Sequence, residues 1–110
     1  MANIAKLDAY VDKKKVKKII SLTKSKEAAD IIKAVEALAK IGGEDALNTI
    51  TLLAENSADE DVRAAAMAGM GVCGNSASMT LLNYFMKNEK SEKILAAVKP
   101  AIAALRGKLE

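Results

Sequence analysis

The sequence predicts an all-α chain whose helices pack in successive pairs, and three observations carry that prediction. The 110 residues are 51% hydrophobic, mostly Ala, Leu, Ile and Val, but only 3% aromatic. Ala and Leu are good helix formers, and the aromatic residues common in strands are scarce. Apolar residues also recur at helical spacing through nearly the whole chain. Finally, the pattern repeats. A shift of 32 residues lays Ala34 on Ala66, Leu38 on Met70, Ile41 on Cys73, Gly42 on Gly74, Leu47 on Met79, Ile50 on Leu82 and Leu53 on Phe85. Two helices and a tight glycine turn per period are the signature of an α-solenoid, an α-α superhelix in which each hairpin buries its face against its neighbours.

Each element follows from local signals. Val16, Ile19, Ile20 and Leu22 form a first apolar stripe, within a partial unit over residues 2–24. Ile31, Ala34, Val35, Leu38 and Ile41 form a second, closed at Gly42-Gly43, where glycine adopts the left-handed conformation that ends a helix. A third helix runs from Glu44 to Glu55 on Leu47, Ile50, Leu53 and Ala54. Ser57 or Asp59 caps a fourth, with Glu60 and Asp61 at the positive end of its dipole and Val62, Ala66, Met70 and Cys73 as its stripe. After Gly74-Asn75, a fifth begins near Ser76 on Met79, Leu82, Phe85 and Met86. Ser91 caps a sixth, with Leu95, Val98, Ile102 and Leu105 buried and Pro100 expected to kink it. The units are therefore 2–24, 27–56, 59–88 and a terminal helix over 91–106, about three hairpins in one domain. Leu109-Glu110 resembles the start of a vector-derived tag and carries no functional weight.

The stretch DEDVRAAAMAGMGVCGN resembles the first helix and turn of a HEAT repeat of the bacterial type, with an acidic start, V-R, an alanine, then L-G-x-I-G-D. Asp59, Val62, Arg63, Ala66, Met70, Gly71, Cys73, Gly74 and Asn75 occupy those places. The preceding unit matches more loosely through Ala34, Leu38, Ala39, Ile41 and Gly42 and lacks the V-R pair. The last keeps Ala101, Leu105 and a proline-bearing helix. The resemblance covers residues 27–106 and implies a right-handed solenoid whose second helices line a concave binding side.

Charge is distributed unevenly. Residues 1–26 hold eight Lys against two Asp, a local +6, while residues 27–110 hold nine Lys or Arg against twelve Asp or Glu, a local −3. One cysteine makes no intrachain disulfide, so a cytoplasmic protein is expected. The stretch MANIAKLDAYVDKKK lacks the long apolar core of a secretory leader and no run of about 18 apolar residues occurs, so neither secretion nor a membrane partner is expected.

Candidate chemistry is thin. Gly69, Gly71 and Gly74 spell G-x-G-x-x-G, but a dinucleotide loop needs a strand before it and a helix after it. Here the first two glycines fall inside a helix, where each costs about 1 kcal/mol relative to alanine, so close approach of another helix should offset them. The chain has no His, which removes Cys/His and Ser/His mechanisms and the usual zinc sites. The His-Glu pairs of HEAT-repeat metal hydroxylases are likewise missing. Asp59-Glu60-Asp61 lacks the spacing of a calcium loop and reads as helix-start charge. Cys73 stands where Ile41 does one unit earlier and is expected to be a small buried apolar residue. No catalytic, metal or cofactor residue is assigned, and the chain is expected not to be an enzyme.

Two features point to binding. Lys13-Lys14-Lys15-Val16-Lys17-Lys18 is either a soluble cap on the end repeat or an anionic contact, with Tyr10 the nearest ring for stacking on a base. Aligning the second helices of the units leaves three outward rows: Lys17, Asn48 and Thr80; Lys18, Thr49 and Leu81; Ser21, Leu52 and Tyr84. Leu52, Leu81 and Tyr84 lie off the buried stripes and either tuck between helices or form an apolar patch for a partner. The expected function is a non-enzymatic scaffold that holds a protein or peptide, acidic ones included, through Lys14, Lys17, Lys18, Asn48, Thr49, Leu52, Thr80, Leu81 and Tyr84. The alternative is nucleic-acid binding through the basic first unit; HEAT-like DNA glycosylases carry such basic concave faces, but the chain has no Trp.

Overall fold

A computed structural model describes residues 3–110, so the first residue of the expected unit 2–24 lies outside the described residues. Among the described residues there are seven α-helices and no strand: α1 (Leu7–Asp12), α2 (Val16–Leu22), α3 (Ala28–Ile41), α4 (Glu44–Asn56), α5 (Glu60–Cys73), α6 (Ser76–Asn88) and α7 (Glu92–Leu109). A single 3-10 turn, Ile4–Lys6, leads into α1, with the Asn3 side chain accepting from the Ala5 N–H.

Helix boundaries follow the local chemistry closely. The α3–α4 turn is made by Gly42 and Gly43, both with positive φ (73° and 93°), a conformation that side-chain-bearing residues rarely adopt. Asp59 caps α5 by accepting from the N–H groups of Asp61 and Val62, and Ser57 in turn accepts from the Asp59 N–H. At α6 the cap is reciprocal. The Asn75 side chain accepts from the Ser78 N–H while the Ser78 hydroxyl accepts from the Asn75 N–H, each at 3.1 Å. Ser91 accepts from the Ile94 N–H at the start of α7.

The first unit holds more than the one apolar stripe read from the sequence. Residues 7–22 form two short helices, and Lys13, Lys14 and Lys15 make the turn between them, with Lys14 at φ 51°. The Lys15 N–H donates to the Tyr10 carbonyl at 2.8 Å and closes that turn. Tyr10 is a core residue, only 8% exposed, so its ring is not available to stack on a base. The lysines obscured α1 at the sequence level, because the polar stretch Asp12 to Lys15 separates Leu7, Tyr10 and Val11 from the stripe that begins at Val16.

The longest dimension is 39 Å and the shortest 16 Å, which is two helix layers at the usual interaxial distance of about 8–10 Å. Helices α1, α3, α5 and α7 touch in succession, while α2 touches α4, and each helix also contacts its neighbour in sequence. Helix α5 sits at the centre, packed by α3, α4 and α7. That position explains why Met67 is fully buried although it lies off the expected stripe: a helix surrounded on three sides has no single apolar face.

One further expectation changes. The α7 stripe is Ile94, Val98, Ala101, Ile102 and Leu105, so it begins at Ile94 and leaves Leu95 half-buried. Helix α7 spans Glu92 to Leu109 with Pro100 inside it. Pro100 and Ala96, whose carbonyl loses its helical donor, are both exposed, so water can satisfy that carbonyl.

The three glycines of residues 69–74 have three different surroundings. A Cβ on Gly71 would stand 2.7 Å from the Ala101 Cα and 2.9 Å from its carbonyl oxygen, so α5 and α7 meet backbone to backbone there. A Cβ on Gly69 would find only ordinary contacts, 3.4 Å to Ile50 and 3.5 Å to Ala39. Gly74 has extended φ and ψ (−76°, 177°), and a Cβ would collide with the Met70 carbonyl and Ser78. Gly42 and Gly74 lie 32 residues apart at the ends of α3 and α5, yet one serves by its backbone conformation and the other by its lack of volume.

Candidate functional site

The residues singled out for binding lie on α2, α4 and α6 or the turn before α2. Lys14, Lys17, Lys18, Asn48 and Thr80 are exposed, and Thr49 is half-buried. Leu52 on α4 and Tyr84 on α6, 32 residues apart, are each 59% exposed, a high value for large hydrophobic side chains. Leu81 is half-buried and packs against the core, so much of its surface already serves the fold.

These side chains fall into two grooves. Thr49 and Leu52 join Ile20, Thr23, Lys24 and Leu53 around a groove of about 320 Å³ between α2 and α4. Asn48 and Leu81 join Leu47, Thr51, Met70, Asn75, Ala77 and Ser78 around a second, of about 200 Å³, between α4 and α6. Thr80 and Tyr84 line neither. The Thr80 hydroxyl donates weakly to the Ser76 carbonyl at 3.4 Å, and the Tyr84 ring meets Phe85 edge-on with centroids 6.2 Å apart.

Around the lysines the electrostatics are unbalanced. Residues 13–26 contain seven Lys and no Asp or Glu, and all seven lysines are exposed. The ion pairs among the described residues lie elsewhere, Arg63–Glu89 at 2.7 Å and Lys93–Asp61 at 2.9 Å.

The Arg63–Glu89 pair is structural in its surroundings. Arg63 Nε also donates to the Ala54 carbonyl at 3.2 Å, joining the end of α4 to the α6–α7 loop. Burial pushes the Glu89 carboxyl up, but the Ser91 and Lys90 N–H groups and Arg63 outweigh it and hold the group below the usual carboxylate range. Lys93 is raised by its hydrogen bond and attraction to Asp61.

Sequence reasoning missed a third groove, of about 260 Å³, between α3 and α5, lined by Glu36, Ala39, Lys40, Ala65, Ala68, Gly69 and Val72. Val72 is 56% exposed, and a signal for it existed: the 32-residue shift sets Val72 on exposed Lys40, an apolar residue where the previous unit is charged. Beside it, Lys108 Nζ donates to the Val72 carbonyl at 2.8 Å. Cys73 is half-buried rather than fully enclosed, and burial raises its thiol pKa against a smaller opposing pull from Lys108.

Among the described residues no group of three or more His, Cys, Asp or Glu gathers as a metal site. No described helix is long and apolar enough to cross a membrane. Comparison with protein-family models, curated proteins and solved structures finds no match for this chain.

Proposed function

We propose that the chain is a short superhelix of HEAT-like helical hairpins that works as a non-enzymatic scaffold, holding a protein or peptide segment on the surface of α2, α4 and α6. The observation that carries this reading is the pair Leu52 and Tyr84, each 59% exposed at matching places on α4 and α6. Large apolar side chains held in water on rigid helices cost solubility and are a common mark of a contact surface. Polar Asn48, Thr49 and Thr80 rim them, and the lysines of the first unit steer an acidic partner. No cofactor and no catalytic side chain belong to this proposal. A cytoplasmic setting does, and rests on the single cysteine.

Affinity capture from the cell that makes the protein tests it. A partner retained by the wild type and lost with Leu52→Ser plus Tyr84→Ala supports the scaffold. A capture profile unchanged by those substitutions and by Lys14→Glu, Lys17→Glu and Lys18→Glu contradicts it.

The acid-free run of seven lysines favours a second reading, sequence-blind nucleic-acid binding. Against it, Tyr10 is buried, and residues 27–110 carry a net −3. Mixed-sequence DNA titrated across a salt series decides the matter: no association even at low salt removes this reading.

A further inference from the structure

We infer that the groove between α2 and α4 is the docking site for an acidic peptide segment carrying an aliphatic side chain. The inference rests on the scaffold reading above and narrows it to one groove and one chemistry. With a volume of about 320 Å³, the groove stands at the small end of ligand pockets, about 300–1,000 Å³. It takes side chains of an extended or helical segment rather than a folded domain.

Its lining sets the chemistry. Ile20, Leu52 and Leu53 supply aliphatic surface, Thr23 and Thr49 the polar edge, and Lys24 a cation at the rim. The Thr23 hydroxyl donates to the Ile20 carbonyl at 2.6 Å. Leu52 is the most exposed of the aliphatic three, so it has the most surface to gain by contact.

Charge complementarity identifies the occupant. The helix on one side, with the chain flanking it, carries Lys13, Lys14, Lys15, Lys17, Lys18, Lys24 and Lys26, and no carboxylate interrupts them. Among the described residues none of these lysines is in an ion pair. A positive field beside an apolar groove concentrates carboxylate-rich segments and gives them somewhere to bury a side chain.

Nucleic acid fits the same charge but not the same floor. The chain has three aromatic residues; Tyr10 and Phe85 are buried, and Tyr84 lies on α6 outside the groove, so bases find no stacking platform among these lysines.

The test is a selection of random twelve-residue peptides displayed on phage, followed by anisotropy titration of the enriched peptides at 50 mM and 300 mM salt. A twelve-nucleotide single-stranded DNA serves as a charge-matched competitor. Two folded variants, checked by circular dichroism melts, locate the site: Leu52→Ser, and Lys17→Glu with Lys18→Glu and Lys24→Glu. Expected are peptides with Asp or Glu flanking Leu, Ile, Val or Met, bound about tenfold more weakly by Leu52→Ser. The triple variant binds them at least tenfold more weakly at 50 mM salt, with little further loss at 300 mM. Acidic peptides bound equally by wild type and both variants overturn the groove assignment and leave the scaffold reading standing, as do basic or neutral peptides. DNA bound more tightly than every selected peptide overturns the occupant. No enrichment of any peptide overturns both the groove and the scaffold reading.

Discussion

Gly71→Ala and Gly69→Ala should move stability in opposite directions, although the two glycines lie two residues apart on one helix. Either substitution gains about 1 kcal/mol of helix propensity. At Gly71 the new methyl would stand 2.7 Å from the Ala101 Cα, and carbon atoms settle at about 3.5–4.0 Å, so α7 must withdraw by roughly 1 Å. The obstacle is backbone rather than a rotatable side chain. Helix α7 is held in place by Ile94, Val98, Ile102 and Leu105, all buried, and cannot retreat without loosening them. Overpacking costs about 1–3 kcal/mol or more, and a backbone obstacle belongs at the upper end, so the net loss is about 2 kcal/mol. At Gly69 the nearest atoms, 3.4 Å and 3.5 Å away, are in ordinary contact range, and the propensity gain survives as about 0.5–1 kcal/mol. Urea titration gives both values, and thermal melting should show a fall of about 8 °C or more for Gly71→Ala. A Gly71→Ala protein as stable as wild type would refute the backbone contact between α5 and α7.

Other predictions follow the same residues. Arg63→Met removes the donors to Ala54 and Glu89, whose side chain is only 16% exposed, and should cost about 2 kcal/mol in urea titration. Glu89 is held below its ordinary value of 4.5, so the stability it supplies is fully present above that pH and is lost as pH falls through the folded value. The stability gap between wild type and Glu89→Gln should therefore narrow from pH 7 to pH 3. Tyr84→Ala should leave stability within about 0.5 kcal/mol, whereas Leu81→Ser, at a half-buried position against the core, should cost about 1–2 kcal/mol. Cys73 should react with iodoacetamide at pH 8 several-fold more slowly than free cysteine, because its thiol is half-buried and its pKa raised.

Helix positions were legible because capping and glycine signals are local. Gly42-Gly43, Asp59, Asn75 and Ser91 each satisfy or terminate a backbone run within a few residues, and the structure uses all of them. Tertiary placement was less legible. Nothing near Met67 shows that three helices surround α5, and nothing near Tyr10 shows that its ring points into the core beside five lysines. The candidate surface was half legible for a related reason. The repeat shift picks out Leu52 and Tyr84 as outward residues, but groove walls are built by residues from different helices, so Ile20 and Lys24 joined Leu52 only once α2 was seen against α4.

The claim that α2, α4 and α6 present a partner-binding face is tested most directly by position-resolved photocrosslinking in the cell. A photoreactive residue is placed at Leu52, at Tyr84 and, as a control, at Ala103, an exposed residue of α7. The account predicts one protein crosslinked from Leu52 and Tyr84 and absent from Ala103. Equal labelling from all three positions, or none from the first two, would contradict it.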